Sequence, residues 1–406
     1  MTSPITLVEI AGVALDLSDV EYQVSVQHGR NGVTNQPEAS TAQITIRGTS
    51  GVSAQMSDPV VIEAYGFDRF HGEISDLTIT HLSTDPPTAV TTVIAMGNLA
   101  KLGLRQTTDT TYPHETVRDR AEKILIDGGL SYLNGGSDTL ELHSLNSSET
   151  ELQPVLNALA ELAEWSGATY FDTPEGLIAF ESYGTRGITA FAATWQSLVE
   201  PWTLYPQSWD SFPTAIASYE FPSSGVIWSP TWTQTLEALI NDVTVTYGST
   251  GQNEEQSDDS ASIALYGRRA YTLDTRLRNS GDASSRAGSI LTAQANPLWN
   301  MGQISVYVDL LTTTDRDRVL ALVNGATVTV PNLPEPAPYS SFQGIVEGWG
   351  ETYTPGQHVI TFSISDPRYS YQTVTWNDVD GALIWGDVNP TVAWYNVVNA
   401  DDLLAA

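Results

Sequence analysis

The sequence lacks cysteine altogether, and lysine occurs only at Lys101 and Lys123. Without cysteine, the fold contains neither disulfide bonds nor thiolate metal sites. The first residues hold no basic segment followed by an apolar run, and no window approaches about 18 consecutive apolar residues. We therefore expect neither a signal peptide nor a membrane-spanning helix.

Positive charge is also scarce. The chain has 17 basic and 48 acidic residues, which gives a formal net charge of −31 at pH 7. Such an acidic chain repels the phosphates of nucleic acids and anionic membranes, and this excludes tight DNA binding in a basic groove. Its 406 residues suffice for roughly two to four domains with real cores.

Short motifs for catalysis and cofactor binding are absent as well. No serine lies in a G-x-S-x-G pattern and neither lysine follows a glycine-rich loop, which argues against a nucleophile elbow and a phosphate-binding loop. The histidines are scattered and none lies in H-E-x-x-H, so no zinc site is expected. These histidines are His28, His71, His81, His114, His143 and His358. We therefore expect a protein that is not an enzyme, with no cofactor and no metal.

Two acidic patterns leave weaker alternatives. Asp378, Asp380 and Asp387 imitate part of a calcium-binding loop, but Trp376 occupies the first ligand position. Pairs of carboxylates could serve a glycosidase, although solvated surface is the commoner role of acids in so acidic a chain. The pairs considered are Glu73 with Asp76, and Glu161 with Glu164.

What the sequence does contain is one strand pattern used twice, at Asp58–Leu102 and at Asn324–Tyr369. Each copy has an alternating strand, a turn rich in Gly or Pro, a Phe-x-Gly-x-[Ile/Val] motif, a loop with Pro and a last strand. Such alternation predicts antiparallel strands with one buried face. The proposed matches are Val60, Ile62 and Ala64 with Ala326, Val328 and Val330, then Phe70, Gly72 and Ile74 with Phe342, Gly344 and Val346.

These patterns divide the chain into six regions. We predict a first β-barrel at 1–105, a small helix-helix-hairpin α+β domain at 106–187, and a Trp- and Pro-rich extended segment at 188–240. An α+β connecting domain follows at 241–312, then a second β-barrel at 313–370 that can share strands with it, and a C-terminal arm at 371–406. The extended segment suits chain packed over a sheet, with a loop that contacts a partner as the alternative.

Caps and turns predict several local elements. Val117, Ala121, Ile124 and Leu125 recur at helical spacing, and Ser148-x-x-Glu151 followed by Pro154 indicates a capping box for a second helix. Residues 250–262 are expected to form an acidic polar loop, followed by a strand pair around a Tyr-Gly-Arg-Arg turn. Two later helices are predicted to begin at the caps Asp282 and Thr314.

The arm holds a second repeat, because Trp376, Trp385 and Trp394 lie nine residues apart. Segments this short cannot form a core of their own, so they have to lie on another surface. We predict that the three tryptophans contact a neighbouring subunit or another partner. The alternative is that the arm folds back onto the second barrel.

The run from Asn241 to Asp366 resembles the hub proteins, or minor tail proteins, at the tail tip and baseplate of tailed bacteriophages. The similar features are, in order, a strand, Tyr-Gly-Arg-Arg, a helix, Pro-Leu-Trp, a strand, a short helix, Gly, Val-Thr-Val and Leu-Pro. Leu7–Tyr183 resembles the family more loosely. One departure is Ala326, where an acidic residue is expected. The Trp repeat is similar to the tails of many minor tail proteins of phages that infect actinobacteria.

The resemblance implies a mainly β fold with α+β parts, in which two tail-tube-like β-barrels flank smaller α+β domains. It implies a structural protein of the virion tail tip, made in the host cytoplasm, with roles in host attachment and in forming the channel for DNA ejection. The implied partners are the distal tail protein, the tape-measure protein and tip or receptor-binding proteins. A homotrimer with pseudo-sixfold symmetry is expected, because three chains with two equivalent barrels present six similar surfaces.

The wall of this channel is expected to be acidic or neutral, so that DNA passes without being tightly bound. Arg30, Arg47, Arg69 and Arg105 should therefore not cluster on the lumen. Two alternative functions remain open at this stage. One is a distal tail protein in the neighbouring ring, and the other is a carbohydrate-binding or carbohydrate-active protein, supported by 11 tryptophans and 17 tyrosines.

Overall fold

The structure is a computed structural model that describes most of the chain up to residue 366. The described residues are 4–17, 21–30, 37–48, 54–84, 87–108, 111–130, 133–134, 144–149, 152–182, 219–222, 226–227, 231–248, 251–333 and 335–366. The predicted extended segment at 188–240 is described only in part. The predicted arm at 371–406 lies outside these ranges.

The first hundred residues form strands. In chain order these are β1 (Ile5–Ile10), β2 (Val13–Ala14), β3 (Glu21–Gly29), β4 (Thr41–Gly48), β5 (Pro59–Ala64), β6 (Phe67–Thr84) and β7 (Pro87–Met96). Val24 on β3 lies opposite Ile44 on β4, and both are fully buried. The period-two alternation of the sequence therefore gives the expected buried face.

A helical region follows. Its elements are α1 (Asn98–Leu104), β8 (Thr111–Tyr112), β9 (Glu115–Thr116), α2 (Val117–Asp127), β10 (Leu133–Asn134), β11 (Ser144–Leu145), β12 (Ser148–Glu149), α3 (Val155–Ser166), β13 (Ala168–Asp172) and β14 (Ile178–Ser182). Helix α2 buries the four residues predicted from helical spacing, Val117, Ala121, Ile124 and Leu125. Helix α3 ends at Gly167, whose φ of 69° is a left-handed conformation that glycine adopts without strain.

The rest of the described chain mixes strands with helices. It contains β15 (Tyr219–Glu220), β16 (Val226–Ile227), β17 (Trp232–Thr233), β18 (Asp242–Tyr247), β19 (Asn253–Asp258), α4 (Ser260–Tyr266), β20 (Ala270–Asp274), α5 (Ser280–Gln294), β21 (Asn300–Met301) and β22 (Gln303–Tyr307). After a 3-10 turn at Val308–Leu310 come α6 (Thr313–Leu320), β23 (Thr327–Val330), β24 (Phe342–Thr354) and β25 (Gln357–Ser365). No helix among the described residues is long and apolar enough to cross a membrane.

One 13-stranded sheet runs through both halves of the chain, in the order β16-β22-β25-β24-β3-β4-β7-β6-β5-β1-β2, with β23 on β24 and β15 on β23. The mainly β prediction is therefore confirmed. The two predicted barrels are not seen as closed barrels in the described ranges, because this strand order does not return to its start. β24 extends beyond its pairing with β23, and β3 covers that extension, so the two halves merge into one sheet.

Three apolar cores support this architecture. One lies in the first half of the sheet and includes Tyr353 from β24, and a second lies in the other half around Trp349 and Phe362. The third joins α2, α3, β13 and β14 to β18, β20 and α5. The described residues of 106–187 thus share a core with the first part of the predicted connecting domain, while β21 and β22 pack with the sheet.

Five local predictions were wrong. Residues 253–258 form β19 on the edge of β18, because a solvent-facing edge strand does not need an apolar face. Helix α4 takes the place of the first strand in the predicted strand pair. Asp259 caps this helix, and its carboxylate accepts a hydrogen bond from Ser262 N. Ser148 lies in β12, and α3 begins at Val155 directly after Pro154.

The last two corrections concern helix caps. Helix α6 is capped by Thr312, whose hydroxyl accepts from Asp315 N, and not by Thr314. Helix α5 begins after Asn279, so Asp282 lies within the first turn, where it accepts a hydrogen bond from Ser144 N. Both helices therefore begin before the residue that was predicted as their cap.

Candidate assembly site between two strand units

The two Phe-x-Gly motifs occupy the same place in two strand units. We call β3–β7 with β1 and β2 the first strand unit, and β22–β25 with β15–β17 and β21 the second. Gly72 of β6 pairs with Val60, and Gly344 of β24 pairs with Val328. The structural alignment of the first strands therefore differs by two residues from the alignment proposed from sequence, because Val60 corresponds to Val328 and not to Ala326.

The ladders continue in the same way beyond the motif. β6 breaks register against β7 between Ile74 and Asp76, and β24 breaks register against β25 between Val346 and Gly348. In both strands the bulge comes directly after the residue that ends the motif. In each unit the motif thus lies where the long strand still pairs with the strand before it, β5 or β23. Beyond the bulge the long strand bends away from that neighbour.

Glycine is required in each motif because the preceding phenylalanine lies across it. A Cβ atom placed on Gly72 would lie 2.5 Å from Phe70 Cζ and 2.5 Å from the Met96 carbonyl oxygen. A Cβ atom on Gly344 would lie 2.9 Å from Phe342 Cε1 and 2.2 Å from Ile364 Cγ2. Both phenylalanine rings are buried, so the motif encodes a ring folded over a bare backbone position.

The two units meet where β3 pairs with the second half of β24. Gly348–Tyr353 lie antiparallel to Val24–Gly29. We call this pairing, with the side chains packed against it, the seam. Gly29 has a φ of +69°, and a Cβ there would lie 2.4 Å from the Glu347 carbonyl oxygen, so the close approach of the two backbones requires glycine.

A buried ion pair lies at the centre of the seam. Arg69 of β6 donates through Nε to Glu351 Oε1 at 2.9 Å, and Nη2 also contacts this carboxylate. Trp349 Nε1 donates to Oε1 at 2.6 Å, and His358 Nε2 lies 3.0 Å from Oε2. The Tyr353 hydroxyl donates to the same carboxylate. The buried Glu351 carboxylate is therefore surrounded by donors from both units, as a buried charge requires.

Arg69 and Glu351 keep each other in the ionised state. Burial alone would raise the pKa of Glu351, but the charge of Arg69 and the hydrogen bond from His358 outweigh it, and the pKa falls well below its ordinary range. Burial alone would lower the pKa of Arg69, yet Glu351 raises it. Burial and the Glu351 charge together raise the pKa of Tyr353 well above its usual value, so its hydroxyl stays protonated.

His28 packs on the same side of the seam. Its ring stacks on Trp349, with 4.7 Å between ring centroids. Nε2 lies 2.6 Å from the Arg69 carbonyl oxygen, which can only accept, so Nε2 carries the proton and Nδ1 accepts from the Ser40 hydroxyl at 2.7 Å. Burial lowers the pKa of His28 to about 4, and the ring is neutral at pH 7.

A second buried ion pair lies at the end of the seam. Arg30 Nε donates to Glu347 Oε2 at 2.8 Å, and the Ser365 hydroxyl donates to the other carboxylate oxygen. Glu347 is the residue at the bulge of β24, and the Arg30 backbone N–H donates to its carbonyl oxygen at 3.1 Å. In both pairs the arginine comes from the first unit and the glutamate from the second.

Asp172 of β13 fixes the helical region, from α1 to β14, to the first unit. Its carboxylate accepts from Ser40 N at 2.8 Å and from Leu99 N at 2.9 Å. A Cβ on Gly97 would lie 2.5 Å from Asp172 Oδ2, so glycine is needed where the chain passes this carboxylate. Burial raises the pKa of Asp172 to about 6, although the backbone hydrogen bonds act in the opposite direction.

Of the other residues singled out by sequence, those that the structure describes do not gather into a site. Trp376, Trp385 and Trp394, and with them Asp378, Asp380 and Asp387, lie outside the described residues. Among the acids considered as pairs, Glu73 binds Lys101 at 2.6 Å and Glu164 accepts from the Tyr271 hydroxyl at 2.9 Å. The part of the chain that the structure describes holds no group of three or more His, Asp or Glu residues arranged for a metal ion.

The arginines considered for the lumen are also accounted for. Arg30 and Arg69 are buried in the seam, and Arg47 forms an exposed pair with Glu21. Arg105 donates to the Gly128 carbonyl oxygen in the α+β region. Two of the four arginines are thus unavailable to any surface that DNA could reach.

Sequence reasoning missed the buried charges. The available signal was the alternation of Trp349, Glu351 and Tyr353 on one strand, which places an acid between two aromatic residues of the same face. The partner Arg69 could not be identified, because it lies 282 residues away and in the other unit. Since the whole cluster is buried, its residues cannot reach a substrate, and their arrangement is suited to joining two units.

Comparison with known proteins gives a fold and no sequence relative. No protein-family model matches the chain, and no curated protein matches it. Among solved structures, the chain is similar to the 43 kDa tail protein of prophage MuSo2 from Shewanella oneidensis, with a TM-score of 0.61 and 10% sequence identity. The match covers 90% of this chain and 99% of that chain.

Two further solved structures are similar. The tail protein from Neisseria meningitidis MC58 has a TM-score of 0.60 and 12% identity, and the match covers 91% of this chain and 100% of that chain. The prophage tail protein gp18 from Listeria monocytogenes EGD-e has a TM-score of 0.50 and 12% identity, with 88% and 94% covered. At these identities the likeness establishes a fold shared with these tail proteins.

Proposed function

We propose that this protein is a structural hub of a bacteriophage tail tip, where it joins the tail tube to the host-facing end of the virion. The shared fold supports this proposal, because it extends over nine-tenths of this chain and nearly all of two tail proteins. The distal tail protein, the tape-measure protein and the tip or receptor-binding proteins are the proposed partners. Fold alone does not determine function, and the two strand units supply the further support.

The observation that carries the proposal is the pair of equivalent strand units fixed in one sheet. Gly72 and Gly344 occupy the same ladder position, and two buried ion pairs hold the units together across the seam. A chain with two such units lets three copies present six similar surfaces around one axis. We therefore propose a homotrimer with pseudo-sixfold symmetry that fits a sixfold tube.

The proposed ring forms the channel for DNA ejection. A net charge of −31 gives a wall that repels phosphates, and burial of Arg30 and Arg69 removes two positive charges from the surface. DNA carries about one charge per 1.7 Å of its axis, so even a few exposed arginines along the channel would retain it. An acidic wall lets the duplex pass without tight binding.

We propose a structural rather than an enzymatic role. Three titratable residues of the seam with shifted pKa values, Glu351, Arg69 and Tyr353, are buried and bind one another. The burial and the shifted pKa values typical of active sites here accompany a contact between two sheet halves. The Trp repeat at 371–406 is proposed to dock on a neighbouring subunit or another tail protein, and its resemblance supports a phage that infects actinobacteria.

The absence of cysteine from the whole sequence offers a direct test of location. Leu265 is 74% exposed and lies on α4, which belongs to neither strand unit, so Leu265→Cys can be labelled with maleimide-linked gold on intact virions. Gold at the tail tip in electron micrographs is expected. Labels along the tail shaft or at the head would contradict the proposal, and unmodified virions treated with the same reagent are the control.

A further inference from the structure

One edge of the sheet in the first unit has no partner strand among the described residues. β6 runs from Phe67 to Thr84, but its pairing with β5 ends at Glu73. The second half of β6 pairs on its other side with β7 as far as Thr84. Edges of this length are usually covered, because they expose backbone groups that can pair with another chain.

The equivalent half of β24 shows what covers such an edge. Beyond its bulge, β24 pairs with β25 on one side and with β3 on the other, which forms the seam. Both bulges follow the Phe-x-Gly motif at the same distance, and this fixes the correspondence between the strands. Leu77, Ile79 and His81 of β6 correspond to Trp349, Glu351 and Tyr353 of β24.

These corresponding residues lie on the same face but differ in burial. Ile79 lies opposite Thr91, a buried residue, and Glu351 lies opposite Ile360, also buried. Partners directly across a ladder share a face of the sheet. Glu351 is 1% exposed, whereas Ile79 is 46% exposed. The first unit thus presents, uncovered, the surface that the second unit has covered.

We propose that the second half of β6 binds the second strand unit of another copy of this chain, in the way that the second half of β24 binds the first unit within the chain. This inference rests on the proposed ring-shaped hub and names the surface through which its copies meet. The incoming edge is that of β16, the strand that ends the sheet order at the second unit. β16 pairs with β22 as β3 pairs with β4, so it occupies the place that β3 has in the seam.

The charges on the two surfaces agree with this pairing. Within the chain, Glu351 binds Arg69, the residue directly before the motif phenylalanine. In the contact between copies, Ile79 takes the place of Glu351, and the residue before the second motif is Ser341, which is exposed. In the contact between copies, both positions of the buried ion pair are therefore occupied by uncharged residues. A charge on only one side would be left buried and unpaired.

Such a contact joins two different surfaces, β6 on one copy and β16 on the next. Contacts of this kind propagate in one direction and end in a ring when the rotation between copies closes. In the closed ring, seams within chains alternate with contacts between chains. All copies of the second half of β6 are then covered.

The test uses the full-length chain and measures its mass in solution by light scattering. Ile79→Glu places one unpaired charge in the contact and is expected to raise the dissociation constant of the assembly at least tenfold. Thr80→Glu is the matched control, because Thr80 lies on the other face of β6 and its counterpart Thr352 stays exposed in the seam. This control is expected to assemble as the unmodified protein does.

A second variant tests the register. Ile79→Glu combined with Ser341→Arg recreates between copies the pair that Glu351 and Arg69 form within the chain, and it is expected to restore assembly to within a few-fold. Circular dichroism of each variant verifies that the chain is folded. Failure of the double variant to recover would overturn the proposed register.

Other outcomes separate this inference from the hub function. If Ile79→Glu assembles as well as the unmodified protein, the β6 edge is not the contact, although gold at the tail tip would still support the hub. If the unmodified chain stays monomeric up to high concentration, a second copy is not the occupant. Equal loss of assembly in Ile79→Glu and Thr80→Glu would likewise contradict a contact that is restricted to one face.

Discussion

Arg69 and Glu351 are buried partners that belong to different strand units of one sheet. Nε of Arg69 lies 2.9 Å from Oε1 of Glu351, across 282 residues of sequence. Neither side chain is more than 1% exposed. Together with the pair of Arg30 and Glu347, this contact makes the two units one body and leaves their other edges to face outward.

The first prediction concerns this pair. Glu351→Ala leaves the Arg69 guanidinium buried without its counter-charge, so we expect a loss of about 3–5 kcal/mol in the free energy of unfolding. Guanidinium unfolding followed by tryptophan fluorescence measures it. Glu21→Ala is the control, because Glu21 pairs with Arg47 at an exposed site, and we expect a change of about 1 kcal/mol or less. Similar losses in the two variants would contradict a buried, joining role for Glu351.

The sequence predicted the units better than their connection. Alternation and the Phe-x-Gly motif identify two similar strand sets, since a buried face and a ring folded over glycine leave a local pattern. The merging of both sets into one sheet has no such pattern, because β3 and β24 pair at a distance of more than 300 residues. The buried charges at the seam were not predicted, since a glutamate shows its partner only after the chain has folded.

The second prediction concerns the motif glycines. In Gly344→Ala the new methyl group meets Ile364 Cγ2 and the Phe342 ring, and in Gly72→Ala it meets the Phe70 ring. We expect each substitution to destabilise the protein by about 1–3 kcal/mol, because a packed core has to shift to admit the methyl group. Thermal unfolding of the purified variants measures the effect.

The control for these variants is Gly288→Ala in helix α5. A Cβ at Gly288 meets no atom within 4 Å. Alanine favours the helix over glycine by about 0.8–1 kcal/mol, so we expect a small gain in stability. If Gly344→Ala were as harmless as Gly288→Ala, the motif glycine would not be under the phenylalanine ring.

The third prediction concerns pH. Burial raises the pKa of Asp172 to about 6, so its contribution to stability is complete below its unfolded pKa of 3.8 and is lost as pH rises through 6. Burial lowers the pKa of His28 to about 4, so its contribution is complete above its unfolded pKa of 6.5 and is lost as pH falls through 4. Between pH 4 and 6 the two effects oppose each other, each with a range of about 3 kcal/mol.

Removing one of these two titratable groups should reveal the pH dependence that the other contributes to stability. Relative to the unmodified protein, Asp172→Asn is expected to become more stable as pH rises from 4 to 6, and His28→Phe is expected to become less stable. The thermal midpoint of each protein, measured at intervals across this range, gives the slopes. Parallel curves for all three proteins would show that neither group titrates with the stated pKa.

The fourth prediction concerns the arm at 371–406. Each tryptophan buries about 150–250 Å² when docked, and at about 25 cal/mol per Å² the three together supply several kcal/mol to a contact. Truncation after Thr375 should leave the chain folded but weaken its assembly with partners. A variant with Trp376, Trp385 and Trp394 all changed to alanine should behave like the truncation. Loss of thermal stability in the isolated chain, with assembly unchanged, would show that the repeat belongs to the protein's own core.

If one chain supplies two equivalent units to a sixfold tube, three chains complete the ring. Electron microscopy of purified tail tips, or the mass of the isolated ring, counts the copies of the chain around the tail axis. We expect three copies, with the two strand units alternating around the channel. Six copies would contradict this expectation and would favour a distal tail ring in which each chain contributes one equivalent unit.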